Sequence, residues 1–501
     1  MKRLFTTLSS VFASRAFFVA TLIFFVLQAL WIAVTALYPM AFDEDFHFGI
    51  IQIYATHWSP FLTEHPANAD AFGAIVRDPS YLYHYLMSFP YRWLQELVAD
   101  ETTRIIVLRI INVVLFAYAL VVFRRVLQRI THSNAFTNIA IAILTFVPIV
   151  PQLAAHINYD NLLMVLVAWC FLLVTDVNRQ FNAGRVDIRT LVMLLVLCLL
   201  ASLVKYPFLP IFIGIILFVA YDAWRNFGTW PKLQNGLSSN YKILATRTKV
   251  GLLLLFLVTG GLFFQRFGVN AITYHTPIPS CEKVLPIENC SSYGPWIRDY
   301  TLGNTKGDVD PNPFAYSFSW VKGLWWRLFF AVNGPLQSYA NYPPLPFPAT
   351  AAVVLAVTMA VLLVVYAKRI FRGQPLIIFS GIVVGVYCTS LWIENYLMYL
   401  ETGQPVAING RYLIPVLLLM GVLGWRGFHV ALARRPQLKV AVATVVLACF
   451  IYGGGVFTYI LRSDASWYFP SHTAVRMNDT ARDVIAPLII EGSKQTDGKQ
   501  P

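Results

Sequence analysis

Long apolar runs separated by short basic clusters and two long polar loops set the pattern of this chain. A helix needs about 20 apolar residues to cross a bilayer. Runs of this kind lie at 16–37, 105–123, 136–148, 162–174, 191–204, 208–221, 250–264, 349–366, 376–392, 411–426 and 440–461, predicting about eleven spans. The third breaks at Pro148 and Pro151, and the short fifth and sixth meet at Lys205-Tyr206-Pro207. Basic clusters follow alternate runs: Arg124, Arg125 and Arg129; Arg179, Arg185 and Arg189; Arg225, Lys232 and Lys242; Lys368, Arg369 and Arg372; Arg426, Arg434 and Arg435. The positive-inside rule assigns these clusters to the cytoplasm. The long loops, 38–104 and 266–346, then fall outside, with the tail 462–501. Lys2, Arg3 and Arg15 precede the first run, which is too long for a signal-peptide core and reads as an uncleaved helix with a cytoplasmic N-terminus.

The first loop carries Tyr81-Leu82-Tyr83-His84-Tyr85 and Tyr91-Arg92-Trp93-Leu94. Aromatic, amphipathic segments like these suit helices lying in the membrane interface. Trp320, Trp325, Trp326, Phe329 and Phe330 read as an interfacial belt. A short helix is expected in the tail over 481–490. The fold class is therefore all-α integral membrane, with a transmembrane domain over 1–461 and the lipid bilayer as its partner.

Composition agrees. Of 501 residues, 57% are hydrophobic and 13% charged, against roughly a quarter charged in soluble domains. The net charge of +13 sits mainly in the short loops, so it reports topology, and no nucleic-acid partner is indicated. Of the six cysteines, only Cys281 and Cys290 share a polar loop. In an outward loop they read as a disulfide, with two free thiols as the alternative.

The chemistry collects at outward span ends. The stretch Phe42-Asp43-Glu44-Asp45-Phe46-His47-Phe48 follows the first run. Arg109 lies early in the second, Asp160 opens the fourth, Lys205 ends the fifth and Arg411 opens the tenth. Charges at membrane depth are costly and tend to pair or to serve function. Asp43 suits a general base; its bland alternative is a helix cap over 44–55. Asp43 and His47 stand at an i, i+4 spacing. Asp45 and His47 are candidate ligands for a divalent metal, Mg2+ or Mn2+, with an orienting role for His47 as the alternative. Arg109, Lys205 and Arg411 suit a phosphate, with snorkelling to head groups as the alternative for each. Asp160 suits a metal, a sugar or one of these cations.

Taken together, these residues resemble the GT-C superfamily of polytopic membrane glycosyltransferases, which includes protein O-mannosyltransferases and the lipid A aminoarabinose transferase. Asp43-Glu44 resembles the acidic pair of the mannosyltransferase branch. Asp78-Pro79-Ser80-Tyr81-Leu82-Tyr83 resembles the segment opening its interfacial helix, and Leu108-Arg109-Ile110 its second-span arginine. Asn158-Tyr159-Asp160 resembles the acid of the second outer loop, and Leu203-Val204-Lys205-Tyr206 the lysine segment after the fifth span. Asn409-Gly410-Arg411-Tyr412-Leu413-Ile414-Pro415 is similar to a Gly-Arg-Tyr-x-x-Pro motif of a bacterial branch. Asp45 and His47 depart from the mannosyltransferase pattern, and the tail lacks a large soluble domain. The resemblance implies a GT-C-like bundle in a bacterial plasma membrane, acting at the extracytoplasmic face. It implies transfer of a sugar from a polyprenyl-phosphate donor to a glycan, lipid or protein hydroxyl, with inversion. Asp43 would be the base with Glu44 in support, and Arg109, Lys205, Arg411 and Tyr412 would hold the donor with Asp160. The rival classes are a transporter or flippase of lipid-linked sugars and a ligase or polymerase of whole glycans.

Overall fold

The computed structural model describes residues 2–40, 43–329 and 345–489. Phe42, Phe330, the loop portion 330–344 and the tail portion 490–501 lie outside the described residues. The described residues form helices α1 (Lys2–Ala13), α2 (Arg15–Thr35), α3 (Glu44–Ala55), α4 (Leu82–Leu97), α5 (Glu101–Thr131), α6 (Asn134–Thr145), α7 (Ile149–Ala154), α8 (Tyr159–Asn182), α9 (Ile188–Val204), α10 (Leu209–Phe227), α11 (Trp230–Ile243) and α12 (Thr246–Phe263). There follow α13 (Val269–Tyr274), α14 (Cys281–Val284), α15 (Ile287–Cys290), α16 (Gly294–Thr305), α17 (Pro313–Phe329), α18 (Pro346–Phe371), α19 (Pro375–Thr402), α20 (Ile414–Ala431), α21 (Pro436–Ile451), α22 (Val456–Arg462) and α23 (His472–Ile485).

Among the described residues, nine helices are long and apolar enough to cross a membrane. The runs at 136–148 and 191–204 instead form shorter apolar helices of 12 and 17 residues. Both are cut short near proline, which cannot donate a backbone hydrogen bond and restricts the residue before it. α6 stops at Thr145, and α7 begins after Pro148. α9 stops at Val204, with Lys205 extended as its C-cap, and the 3-10 turn Tyr206–Phe208, with Pro207 inside it, leads into α10. The architecture is thus an all-α, multi-pass bundle.

α8 lies at its centre, packed against α5, α9 and α10, while α10 packs on α19 and α18 on α20. Its buried side includes Leu163, Val167, Ala168, Phe171 and Val174. Polar caps set the helix starts. Asp100 accepts a bond from Thr103 N at 2.7 Å, and Asn158 from Asp160 N at 2.8 Å. Such caps satisfy amides that a helix leaves open. α4 shows solvent or lipid one face with Leu86, Trp93 and Leu97, an amphipathic pattern. The tail helix starts earlier than its expected range, at His472, because Ser471 caps it by accepting from Ala474 N at 3.1 Å. Just before it, Leu37 N donates to Trp467 O at 2.7 Å and Phe469 N to Thr35 O at 2.9 Å. The tail therefore straps the end of α2, where the acidic stretch begins.

Candidate active site

Two adjacent acids begin α3 and meet two different arginines. Glu44 is wholly buried, as is Arg109. Arg109 Nε donates to Glu44 Oε1 at 2.8 Å and Nη2 to Oε2 at 2.7 Å, a two-pronged pair. The remaining N–H groups of Arg109 reach the carbonyls of Ala33 (3.1 Å), Ala36 (2.7 Å) and Leu37 (3.4 Å). A guanidinium has five N–H donors, and all five are satisfied within the protein. Glu44 also accepts from Met40 N at 2.8 Å and Ile157 N at 3.1 Å. Burial raises the Glu44 carboxyl, but Arg109, by charge and hydrogen bond, brings it below its ordinary value. This geometry corrects two expectations. Arg109 has no donor left for a phosphate, and Glu44 has no open face for a reactant. Together they tie the end of α2, the start of α3, α5 and the α7–α8 turn into one knot.

Asp43 is the opposite case. Its backbone is left-handed, with φ at 70°. Non-glycine residues pay a conformational penalty there, and such strain often marks function. Its side chain makes no capping bond to α3, which removes the cap explanation. Instead Oδ2 accepts from Arg411 Nη2 at 2.8 Å, with the Asp43 side chain 50% exposed and that of Arg411 5%. Burial pushes the Asp43 carboxyl up, but Arg411, with His156 and Lys205, brings it below the usual value.

Arg411 is delivered by a close backbone approach. Asn409 accepts from Arg411 N at 3.1 Å and caps the 3-10 turn Gly410–Leu413. A Cβ on Gly410 would lie 2.5 Å from Leu324 O on α17, so only glycine fits. Tyr387 Oη donates to Tyr412 O at 2.6 Å, tying α19 to the same turn.

The third pair lies beside the second. Lys205 Nζ bonds Asp160 Oδ1 at 2.6 Å, with side chains 5% and 6% exposed. The ammonium lies 4.5 Å from the Tyr159 ring centre and 4.9 Å from that of Tyr412, a cation–π arrangement. Asp160 Oδ2 has no partner among the described residues. Asp160, Lys205, Tyr387, Arg411 and Tyr412 line a cavity in which the centre of a water-sized sphere ranges over about 10 Å³. That is room for about one water.

His47 and Asp45 part company. His47 is buried, and its Nδ1 lies 2.9 Å from His84 Nε2, while Asp45 is exposed. Two positions along a helix turn the side chain through about 200°. The expected metal pair therefore does not form. His84 Nδ1 lies 3.1 Å from Ser80 O, so it donates there. Burial pulls His84 down to about 3 and holds His47 well below its usual value. With the His84 Nδ1–H on Ser80 O, its Nε2 is left to accept, and the bond runs from His47 Nδ1–H to His84 Nε2. No group of three metal-type ligands occurs among the described residues. The carboxylates of Asp43 and Asp160 are each taken up by a cation.

In the second long loop, Cys281 and Cys290 form a disulfide. The loop docks on the first through Asn289 Nδ2 to Asp70 Oδ1 at 3.0 Å. Tyr293 lies tilted against Phe46, ring centres 6.0 Å apart, and packs over Gly73, whose φ of 66° favours glycine. Among the residues not singled out by sequence are His84, Asn112 and Asn161. Asn112 Oδ1 accepts from Tyr83 Oη at 2.9 Å and from Asn161 Nδ2 at 3.1 Å. The readable signal was an amide inside an apolar run.

No family model matches this chain, and no curated protein matches it.

Proposed function

We propose that this chain is an inverting membrane glycosyltransferase that moves a sugar from a polyprenyl-phosphate donor to an acceptor hydroxyl, with Asp43 as general base. The observation that carries the reading is the strained, half-exposed Asp43, bonded to Arg411 and neighbouring the Lys205–Asp160 pair. A carboxylate base and phosphate-binding cations on one wall are the two parts the reaction requires. The acceptor O–H gives its proton to Asp43. The oxygen attacks the anomeric carbon, the bond from that carbon to the phosphate oxygen breaks, and the electron pair leaves with polyprenyl phosphate. Arg411 and Lys205 stabilise the charge that develops on that leaving group, an effect worth several kcal/mol in other enzymes (about 3–4 for a single donor). Tyr412 and Tyr159 hold Lys205 in place, and Glu44 and Arg109 hold the backbone that aims Asp43. The resemblance to GT-C enzymes supports the donor class, a GT-C-like bundle of eleven spans, and a site at the extracytoplasmic face of a bacterial plasma membrane. The placement of basic clusters supports a cytoplasmic N-terminus. The test is transfer from polyprenyl-phosphate sugars by purified protein in liposomes. Wild type transfers sugar, and Asp43→Asn, inserted at the normal level, loses transfer by about 100-fold or more; full activity in that variant overturns the assignment.

A further inference from the structure

We infer that Arg411 serves two anions in turn, holding Asp43 in the resting protein and releasing it to bond the donor's phosphodiester, so that the base is freed only on a loaded site. This rests on the glycosyltransferase reading and adds the order of events within it.

Three features carry the inference. First, the resting site has balanced charge. Glu44 is paired with Arg109, Asp43 with Arg411 and Asp160 with Lys205. An incoming phosphodiester therefore meets cations that are already engaged by carboxylates and competes with them. Second, the cavity beside Arg411 and Lys205 has room for about one water. A phosphate enters only if side chains move, so binding and rearrangement are coupled.

Third, burial decides which pair opens. A carboxylate that loses its cation in the interior stays as an uncompensated buried charge, which is strongly unfavourable. Glu44 and its arginine are 0% exposed, and Asp160 is 6% exposed with one oxygen already unpartnered among the described residues. Asp43 is 50% exposed, so water re-solvates it when Arg411 turns away. The Asp43–Arg411 pair is the one that exchanges at least cost. A carboxylate engaged by a guanidinium is a weak proton acceptor. Once Arg411 bonds the phosphate, the freed Oδ2 is available to the acceptor hydroxyl, and the nearby phosphate charge makes Asp43 more basic. Donor binding therefore precedes activation of the acceptor. It also leaves Asp43 a weak base while the site is empty.

The test is a double-mutant cycle on binding, with farnesyl methyl phosphate as the probe and titration calorimetry of the full chain in detergent. Asp43→Asn removes the competing carboxylate and is expected to tighten binding about fivefold, the upper range for a partly exposed pair. Arg411→Gln removes the phosphate contact and is expected to weaken it by at least tenfold. In the Arg411→Gln background, Asp43→Asn is expected to give no gain, because no latch is left to release. An equal gain in both backgrounds means plain repulsion between Asp43 and the probe and overturns the latch. No gain from Asp43→Asn in the wild-type background also overturns it, while leaving the phosphate role of Arg411 intact. If neither wild type nor Asp43→Asn binds the probe, the donor-site reading itself falls. Should Arg411→Gln fail to fold, Arg411→Lys completes the cycle. It keeps the charge but loses the fork, and the same non-additivity is expected.

Discussion

Asp43 and Glu44 are neighbours in sequence, and each is bonded to an arginine, yet the two pairs have opposite characters. Glu44 and Arg109 are sealed at 0% exposure, with each oxygen and each N–H in a bond. Asp43 meets Arg411 through one 2.8 Å bond and is half exposed. The same chemical pair serves as a structural knot in one place and as an exchangeable contact in the other. Burial of the carboxylate makes the difference. α3 starts at Glu44 and turns that side chain inward, whereas the left-handed backbone at Asp43 turns the preceding one outward.

The contrast is broken most severely from the sealed side. Glu44→Ala strands the Arg109 guanidinium in the interior, and a loss of about 3–5 kcal/mol of stability is expected. Thermal unfolding in detergent reads it as a large fall in melting temperature or as failure to accumulate. Asp43→Ala, one position away, is expected to cost less, under about 3 kcal/mol, because the Asp43 side chain is 50% exposed, although it leaves Arg411, 5% exposed, without its carboxylate. Equal losses from the two substitutions would erase the distinction.

Gly410→Ala comes next. Its Cβ meets Leu324 O at 2.5 Å, so the turn carrying Arg411 must shift away from α17. Overpacking of this kind costs about 1–3 kcal/mol, and transfer is expected to fall more than stability does. A variant with unchanged transfer would show that the placement of Arg411 is not critical.

The smallest expected effect is on pH dependence. The carboxyls of Asp43 and Glu44 both lie below their ordinary values of 3.8 and 4.5. A depressed folded value contributes stability above the unfolded value, and that stability is lost as pH falls through the folded one. Stability is therefore expected to hold from neutral pH down to about 4.5, then fall, with Glu44→Gln flattening that acid limb. Transfer measured as kcat/KM follows the free enzyme. It is expected to stay level across the same range, because Asp43 is already ionised there.

How much was legible in sequence follows from what each feature depends on. Spanning helices were readable because an apolar run is local; nine of the eleven predicted runs fall on helical stretches long and apolar enough to span, and the other two on the shorter α6 and α9. The breaks at Pro148 and Pro207 were readable too: α6 ends three residues before the predicted run does, and α9 ends at Val204 as expected but starts three residues earlier. Pairings were not legible. Arg109 and Arg411 both open apolar runs, and nothing local says that one meets Glu44 and the other Asp43, 65 and 368 positions away. Nor does spacing alone separate Asp45 from His47. Their fates diverge because α3 buries one face against His84 and leaves the other to solvent. Tyr159 and Tyr412 flanking Lys205 also depend on α8 and the 409–413 turn meeting in space.

The most direct measurement is a cryo-EM structure with a non-transferable polyprenyl phosphosugar bound. The account predicts phosphate density bonded to Arg411 and close to Lys205, with Asp43 released from Arg411 and facing the anomeric carbon, and the Glu44–Arg109 pair unchanged. Phosphate density at Arg109, or at the opposite ends of the helices among the basic clusters, would contradict it.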